Sequence, residues 1–104
     1  MNESYIERRF KRICERHGMR VIKMSAMFEI GIPDRLVLLN GFAGFAEIKA
    51  PGKKPRPSQV AYIKKLYGEG CFVGVVDHPN EIVTWIKGFT EHIQEKQSNK
   101  FEGT

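Results

Sequence analysis

The chain has 104 residues, a mass of 11.9 kDa and a formal net charge of +5 from 17 Lys and Arg against 12 Asp and Glu. That is the size of one domain, and 41% hydrophobic residues suffice for one compact core. The composition excludes a collagen-like repeat, a heptad array and a low-complexity tail, and no apolar run approaches the ~20 residues that span a bilayer. Met1-Asn2-Glu3-Ser4 lacks the layout of a secretory signal, and Cys14 and Cys71 read as reduced, buried thiols of a cytosolic protein.

In chain order, the first expected element is a helix capped by Ser4. Glu7 stands three residues on as in a capping box, and Gly18 ends the helix. Ile6, Phe10, Ile13 and Cys14 form its apolar stripe. Met19 to Met24 reads as a strand, followed by a connection through Gly31 and Pro33. Arg35 to Leu39 is a strongly apolar strand. Asn40-Gly41 is the pair favoured in a tight hairpin turn, and Gly44 to Lys49 is the returning strand. Ala50 to Pro57 is a stiff basic loop with three prolines. Ser58 is expected to cap a second helix with Val60, Ile63, Leu66 and Tyr67 as its stripe. Cys71 to Val76 reads as a strand buried on both faces. Ile82, Trp85, Ile86, Phe89 and Ile93 line a last helix in a domain of residues 1–96, and 97–104 reads as a polar tail. The order α-β-β-β-α-β-α, with a strand–helix–strand crossover, predicts an α/β or α+β fold with a mixed sheet covered by helices.

On a strand, Glu47 and Lys49 project from the same face, whereas Ile48 points the other way. Alone, the pair reads as an edge-strand salt bridge. Asp34 changes that reading. It stands just after Pro33, at the mouth of the preceding strand and 13 residues before Glu47. The turn at Asn40-Gly41 would fold one strand along the other and set Asp34 opposite Glu47. Two facing carboxylates repel unless a cation lies between them, and hard oxygen ligands favour Mg²⁺.

The array Asp34, Glu47-x-Lys49 resembles the PD-(D/E)xK nuclease motif. The longer strings Gly31-Ile32-Pro33-Asp34-Arg35 and Glu47-Ile48-Lys49-Ala50-Pro51-Gly52, with Gln59 downstream, resemble the virus-type replication-repair nuclease (VRR-NUC) domain over residues 3 to 86. The resemblance implies a restriction-endonuclease-like core and a metal-dependent DNA endonuclease. Asp34, Glu47 and the Ile48 carbonyl would hold Mg²⁺ or Mn²⁺. Lys49 would orient the attacking water or neutralise charge in the transition state, and Gln59 would help position the site. Glu7 matches an acidic residue that the superfamily often places on its first helix; its other reading is the capping-box partner of Ser4, and the two are compatible. Short stand-alone members imply selectivity for branched or four-way junction DNA and a phage or bacterial source.

Chemistry independent of the family agrees. Phosphodiester hydrolysis needs an activated water and a stabilised anionic transition state, which carboxylate-held cations and a nearby lysine supply. Arg8, Arg9 and Arg12 on the first helix, together with Arg35, Lys53, Lys54 and Arg56 near the sheet's mouth, are candidate DNA contacts. The three histidines lack metal-ligand spacing, and no phosphate-binding or dinucleotide-binding signature calls for an organic cofactor. One site per chain favours a homodimer, with Phe28, Ile30, Ile32, Phe42 and Phe89 as apolar residues for its interface. A cytoplasmic location, in a bacterial cell or phage-infected host, is expected. The alternatives are a catalytically silent nucleic-acid-binding module with the same fold and a small basic protein that pairs with a protein partner.

Overall fold

A computed structural model describes residues 1–25, 27 and 29–102. Their elements run α1 (Glu3–Arg16), β1 (Arg20–Lys23), β2 (Arg35–Leu39), β3 (Phe42–Ile48), α2 (Pro57–Gly68), β4 (Phe72–Val76) and α3 (Asn80–Glu102). The sheet order is β1-β2-β3-β4, antiparallel up to β3 and parallel between β3 and β4. This is the mixed α/β arrangement expected from the order of elements.

The β2–β3 hairpin sets the register on which the site depends. Asn40 at φ 51° and Gly41 at φ 84° both occupy the left-handed region, as a two-residue type I′ turn requires. Leu39 then pairs with Phe42 and Arg35 with Ala46. One step further along the same ladder brings Asp34 across from Glu47.

The two sheet faces are covered differently. Gly44 lies so close to α3 that a Cβ there would sit 2.9 Å from the Phe89 ring, and one on Gly74 would be as near Trp85. Phe10 of α1 meets Trp85 edge-to-face at 5.1 Å between centroids, and Trp85 donates its indole N–H to the Phe45 carbonyl at 3.1 Å. Ile6, Phe10, Val37, Ala46, Ile48, Val76 and Phe89 complete a core between the sheet, α1 and α3. Burial there pushes the Cys14 thiol up to about 12, with Glu15 adding to it. Cys71, expected to be buried, is only half-buried because it precedes the edge strand β4, and neither cysteine is in a disulfide. The other face carries α2.

Several local expectations are corrected. Asn2, not Ser4, caps α1: its side chain accepts the Tyr5 N–H at 2.9 Å, and Ser4 lies within the first turn. Arg56, not Ser58, stands at the N-cap of α2, because Pro57, with φ pre-set and no N–H to satisfy, occupies the first helical position. Val60 and Tyr67 are exposed, so α2 buries little beyond Gln59 and Leu66. Phe72 to Val75 are only half-buried, because β4 is an edge strand and α2 shields it in part. Residues 97 to 102 continue α3 rather than forming a tail. Phe89 is fully buried and Phe42 half-buried, whereas Phe28 lies outside the described residues. No described helix is long and apolar enough to cross a membrane.

Candidate active site

Glu47 and Lys49 leave β3 on the face opposite the Ala46–Ile48 core layer. Glu47 is wholly buried, and it is the feature around which the site is built. Its Oε2 accepts a hydrogen bond from Gln59 Nε2 at 2.9 Å and lies 3.3 Å from Lys49 Nζ. Its Oε1 is also buried but has no hydrogen-bond partner among the described residues. Asp34 sits beside it, with Oδ2 accepting the Ile48 N–H at 2.9 Å.

Gln59 has its amide fixed at both ends. The Arg56 N–H donates to Oε1 at 2.8 Å, so Nε2 is the end left for Glu47. The helix start explains this geometry. Gln59 is the third residue of α2, the position from which a side chain reaches back to the N-cap N–H. Gly31 adds a second constraint. Its φ is +87°, and a Cβ there would run into the Ser58 carbonyl. The strand entry leading to Asp34 thus packs directly on the α2 turn that carries Gln59.

Burial first, and the adjacent Asp34 carboxylate second, push the Glu47 pKa up from 4.5 to about 7 against the opposing pull of Lys49. An acid on this face with a neighbouring carboxylate and an unpartnered buried oxygen is short of positive charge. The donor set fits a small hard divalent cation. Among the described residues no three His, Cys, Asp or Glu side chains converge, so further ligands to such an ion would come from backbone or water.

The raised Glu47 pKa makes stability depend on pH with a defined sign. Folded Glu47 keeps its proton to about pH 7, whereas 4.5 is its ordinary value. Between those limits the folded state binds more protons than the unfolded one. In EDTA, stability is therefore expected to fall as pH rises from about 5 to 7, with a slope of up to about 1.4 kcal/mol per unit, and to level off above. Glu81, pushed up to about 7 mainly by the neighbouring Asp77 carboxylate, is exposed to solvent and adds a smaller change of the same sign. Glu47→Gln should remove the Glu47 part alone, read by urea unfolding across pH. Identical pH curves for variant and parent would refute the assigned shift.

Glu7 does not join the Asp34–Glu47–Lys49–Gln59 group through any hydrogen bond or ion pair among the described residues. Its Oε2 lies 3.1 Å from Arg35 Nη2, on the α1 side of the sheet. Arg35, expected to meet DNA, is buried and tied to Glu7. Arg8, Arg12, Lys53, Lys54 and Arg56 are exposed. Arg9 is half-buried, with its guanidinium carbon 6.0 Å from the Tyr5 ring centroid. A recess of about 240 Å³ brings Arg8 together with Lys11, Lys23, Glu7 and Arg35. Lys23 is a candidate that the sequence does not single out. It faces Arg35 across the β1–β2 ladder, a pairing that spacing along the chain does not reveal.

A mixed four-stranded sheet between helices is the fold of the VRR-NUC domain. The chain superposes on a solved structure of a VRR_NUC domain with a TM-score of 0.74 and 30% identity, covering 82% of this chain and 94% of that one. It is 37% identical over 78 residues to the protein named "Putative nuclease p44" of Acyrthosiphon pisum secondary endosymbiont phage 1, spanning 74% of this chain and 84% of that protein. No family model matches the chain. The chain belongs to the VRR-NUC family.

Proposed function

We propose that this protein is a metal-dependent DNA endonuclease that hydrolyses phosphodiester bonds in branched or four-way junction DNA. The observation that carries this reading is the buried Glu47 carboxylate, set beside Asp34 and Lys49 with one oxygen unpartnered. The family and the name of the phage relative support it. Asp34, Glu47 and the Ile48 carbonyl would hold Mg²⁺ or Mn²⁺, and no organic cofactor is needed. When bound, the ion supplies positive charge for phosphate oxygens and lowers the pKa of water.

The chain's own groups do the rest. Lys49 places an ammonium where the attacking water and the developing phosphorane charge meet. Gln59 holds Glu47 Oε2 through its Nε2–H and leaves Oε1, buried but without a hydrogen-bond partner among the described residues, for a ligand. Attack of water on phosphorus forms one P–O bond and breaks one P–O ester bond; the water gives up a proton to solvent, and the leaving oxygen takes one up from solvent. The test is cleavage of linear, flap, nicked and four-way DNA in Mg²⁺, with an electrophoretic shift in EDTA on the same substrates. Cleavage that needs the ion is expected. Binding without cutting, in Mg²⁺ and in Mn²⁺, would overturn the reading in favour of a silent binding module.

Substrate affinity is assigned to the exposed cations, with Arg8, Lys11 and Lys23 around their recess on one side and Lys53, Lys54 and Arg56 on the loop before α2. Arg9 and Arg12 extend the α1 side, whereas Arg35 is too buried to serve as a surface contact. A combined Lys53→Ala, Lys54→Ala variant should lower the log–log salt slope of binding by about 1 for each phosphate that it no longer neutralises. A slope equal to the parent's would place the DNA elsewhere.

Symmetric cutting needs two sites, so the active species is proposed to be a homodimer. Ile30, Tyr67 and Val83, exposed by 80%, 75% and 62%, supply apolar surface that Phe89 does not. Sedimentation equilibrium at micromolar concentration should give twice the 11.9 kDa chain mass. A monomer mass with symmetric junction cutting would require sequential nicking.

A further inference from the structure

We propose that Glu7 and Arg35 are a positioning pair that fixes the backbone of Asp34, and that Glu7 serves the site through Arg35 rather than as a ligand or acid of its own. The proposal rests on the reading of Asp34 as a site carboxylate, and it departs from the role the superfamily resemblance implies for Glu7.

The register decides which groups Glu7 can serve. Arg35 pairs with Ala46, so its side chain shares the face of Ala46, Gly44 and Ile48. That face is covered by α1 and α3. Glu47 and Lys49 project from the opposite face, where Gln59 of α2 meets them. Glu7 reaches the sheet from α1, on the Arg35 side, and its carboxylate ends on the guanidinium at 3.1 Å.

Arg35 uses its fork in two directions. Nη2 meets Glu7, and Nη1 donates to the Asp34 carbonyl at 3.1 Å. The same carbonyl accepts the Met24 N–H at 2.7 Å, and the Asp34 carboxylate accepts the Ile48 N–H. Asp34 lies just outside the regular ladder, so these bonds supply the hold that strand pairing no longer gives. Lysine could not replace this geometry, because only a planar guanidinium presents two N–H donors at a fixed angle. With Arg35 only 8% exposed, loss of Glu7 leaves a nearly buried cation with one partner fewer, and the guanidinium is expected to swing toward solvent and release the Asp34 carbonyl. A group that orients a ligand residue in this way affects metal affinity without touching the ion.

The test is a double-mutant cycle on the full chain with Glu7→Gln, Arg35→Met and the pair combined. Two quantities are read: Mn²⁺ affinity by calorimetric titration of the metal alone, and hydrogen exchange of the Ile48 amide in metal-free protein. Each single variant should weaken Mn²⁺ binding by about 10- to 100-fold, with the double variant no weaker than Arg35→Met. Ile48 exchange should quicken in all three. If Glu7→Gln lowers Mn²⁺ affinity by the same factor in the Arg35→Met background as in the parent, Glu7 acts on the ion directly and the proposal fails. Should the parent bind no Mn²⁺, the metal reading itself is wrong. Exchange then decides alone: acceleration supports the positioning pair, and unchanged Ile48 exchange overturns it. Arg35→Lys covers the case in which Arg35→Met does not fold. It should keep a folded circular-dichroism spectrum yet quicken Ile48 exchange, and parental exchange in that variant would also overturn the proposal.

Discussion

Asp34→Asn and Glu47→Gln are each expected to lower cleavage by about 100-fold or more while leaving the fold intact. The two substitutions keep shape and remove charge. An asparagine oxygen at position 34 can still accept the Ile48 N–H, now bound at 2.9 Å. A glutamine oxygen at position 47 can still accept from Gln59 Nε2, also at 2.9 Å. Each amide, however, contributes a weaker donor oxygen to a divalent cation and no negative charge. For Glu47 the stability effect should even be favourable in metal-free protein near pH 8, because a fully buried charge with one unpartnered oxygen disappears. Loss of activity joined to an unchanged or raised melting temperature is therefore the expected combination. Cutting at the parental rate by either variant would remove that residue from the site, and a collapsed melting temperature would assign it a structural role instead.

Lys49→Ala should cost about 100- to 1,000-fold in the rate constant for cutting, the range for loss of one group that stabilises developing charge. It should not cost metal affinity. The ammonium lies 3.3 Å from Glu47 Oε2, so in metal-free protein it already offsets part of the carboxylate charge. Removing it leaves Asp34 and Glu47 less neutralised, and a divalent cation then replaces more of what is missing. Calorimetric titration of Mn²⁺ into the variant should give affinity equal to or above the parent's. Metal affinity lost together with activity would mean that Lys49 holds the carboxylates in place, and its proposed action on water and phosphate would be wrong.

Much of this architecture is legible along the chain. Ile6, Phe10 and Cys14 recur at helical spacing and are all buried, and the same holds for Ile82, Trp85, Ile86, Phe89 and Ile93. Asn40-Gly41 marks the hairpin because few other pairs accept two successive left-handed conformations. From that turn alone the opposition of Asp34 and Glu47 follows by counting, and the register agrees. Helix starts are harder to read. Ser4 and Ser58 have the right chemistry for caps, yet Asn2 caps α1, since Asn and Ser differ little at that position, and Pro57 at the first helical position leaves Arg56 at the N-cap of α2.

The order of elements, the hairpin and the acid–acid–lysine pattern that it aligns are written into the chain. They depend on local conformational preference and on a period-two alternation, and both are properties of neighbouring residues. Which helix serves which face of the sheet is settled in three dimensions alone. Gln59 reaches Glu47 because Pro57 starts α2 where it does and Gly31 lets the strand entry pack on that turn. Glu7 meets Arg35 and not Glu47, because α1 lies on the core side of β2 while Glu47 points to the other. Lys23 joins Arg8 and Lys11 only through the β1–β2 pairing. Contacts between segments distant in the chain are set by how faces of differing width and apolarity can be buried together, and no spacing within one segment encodes that choice.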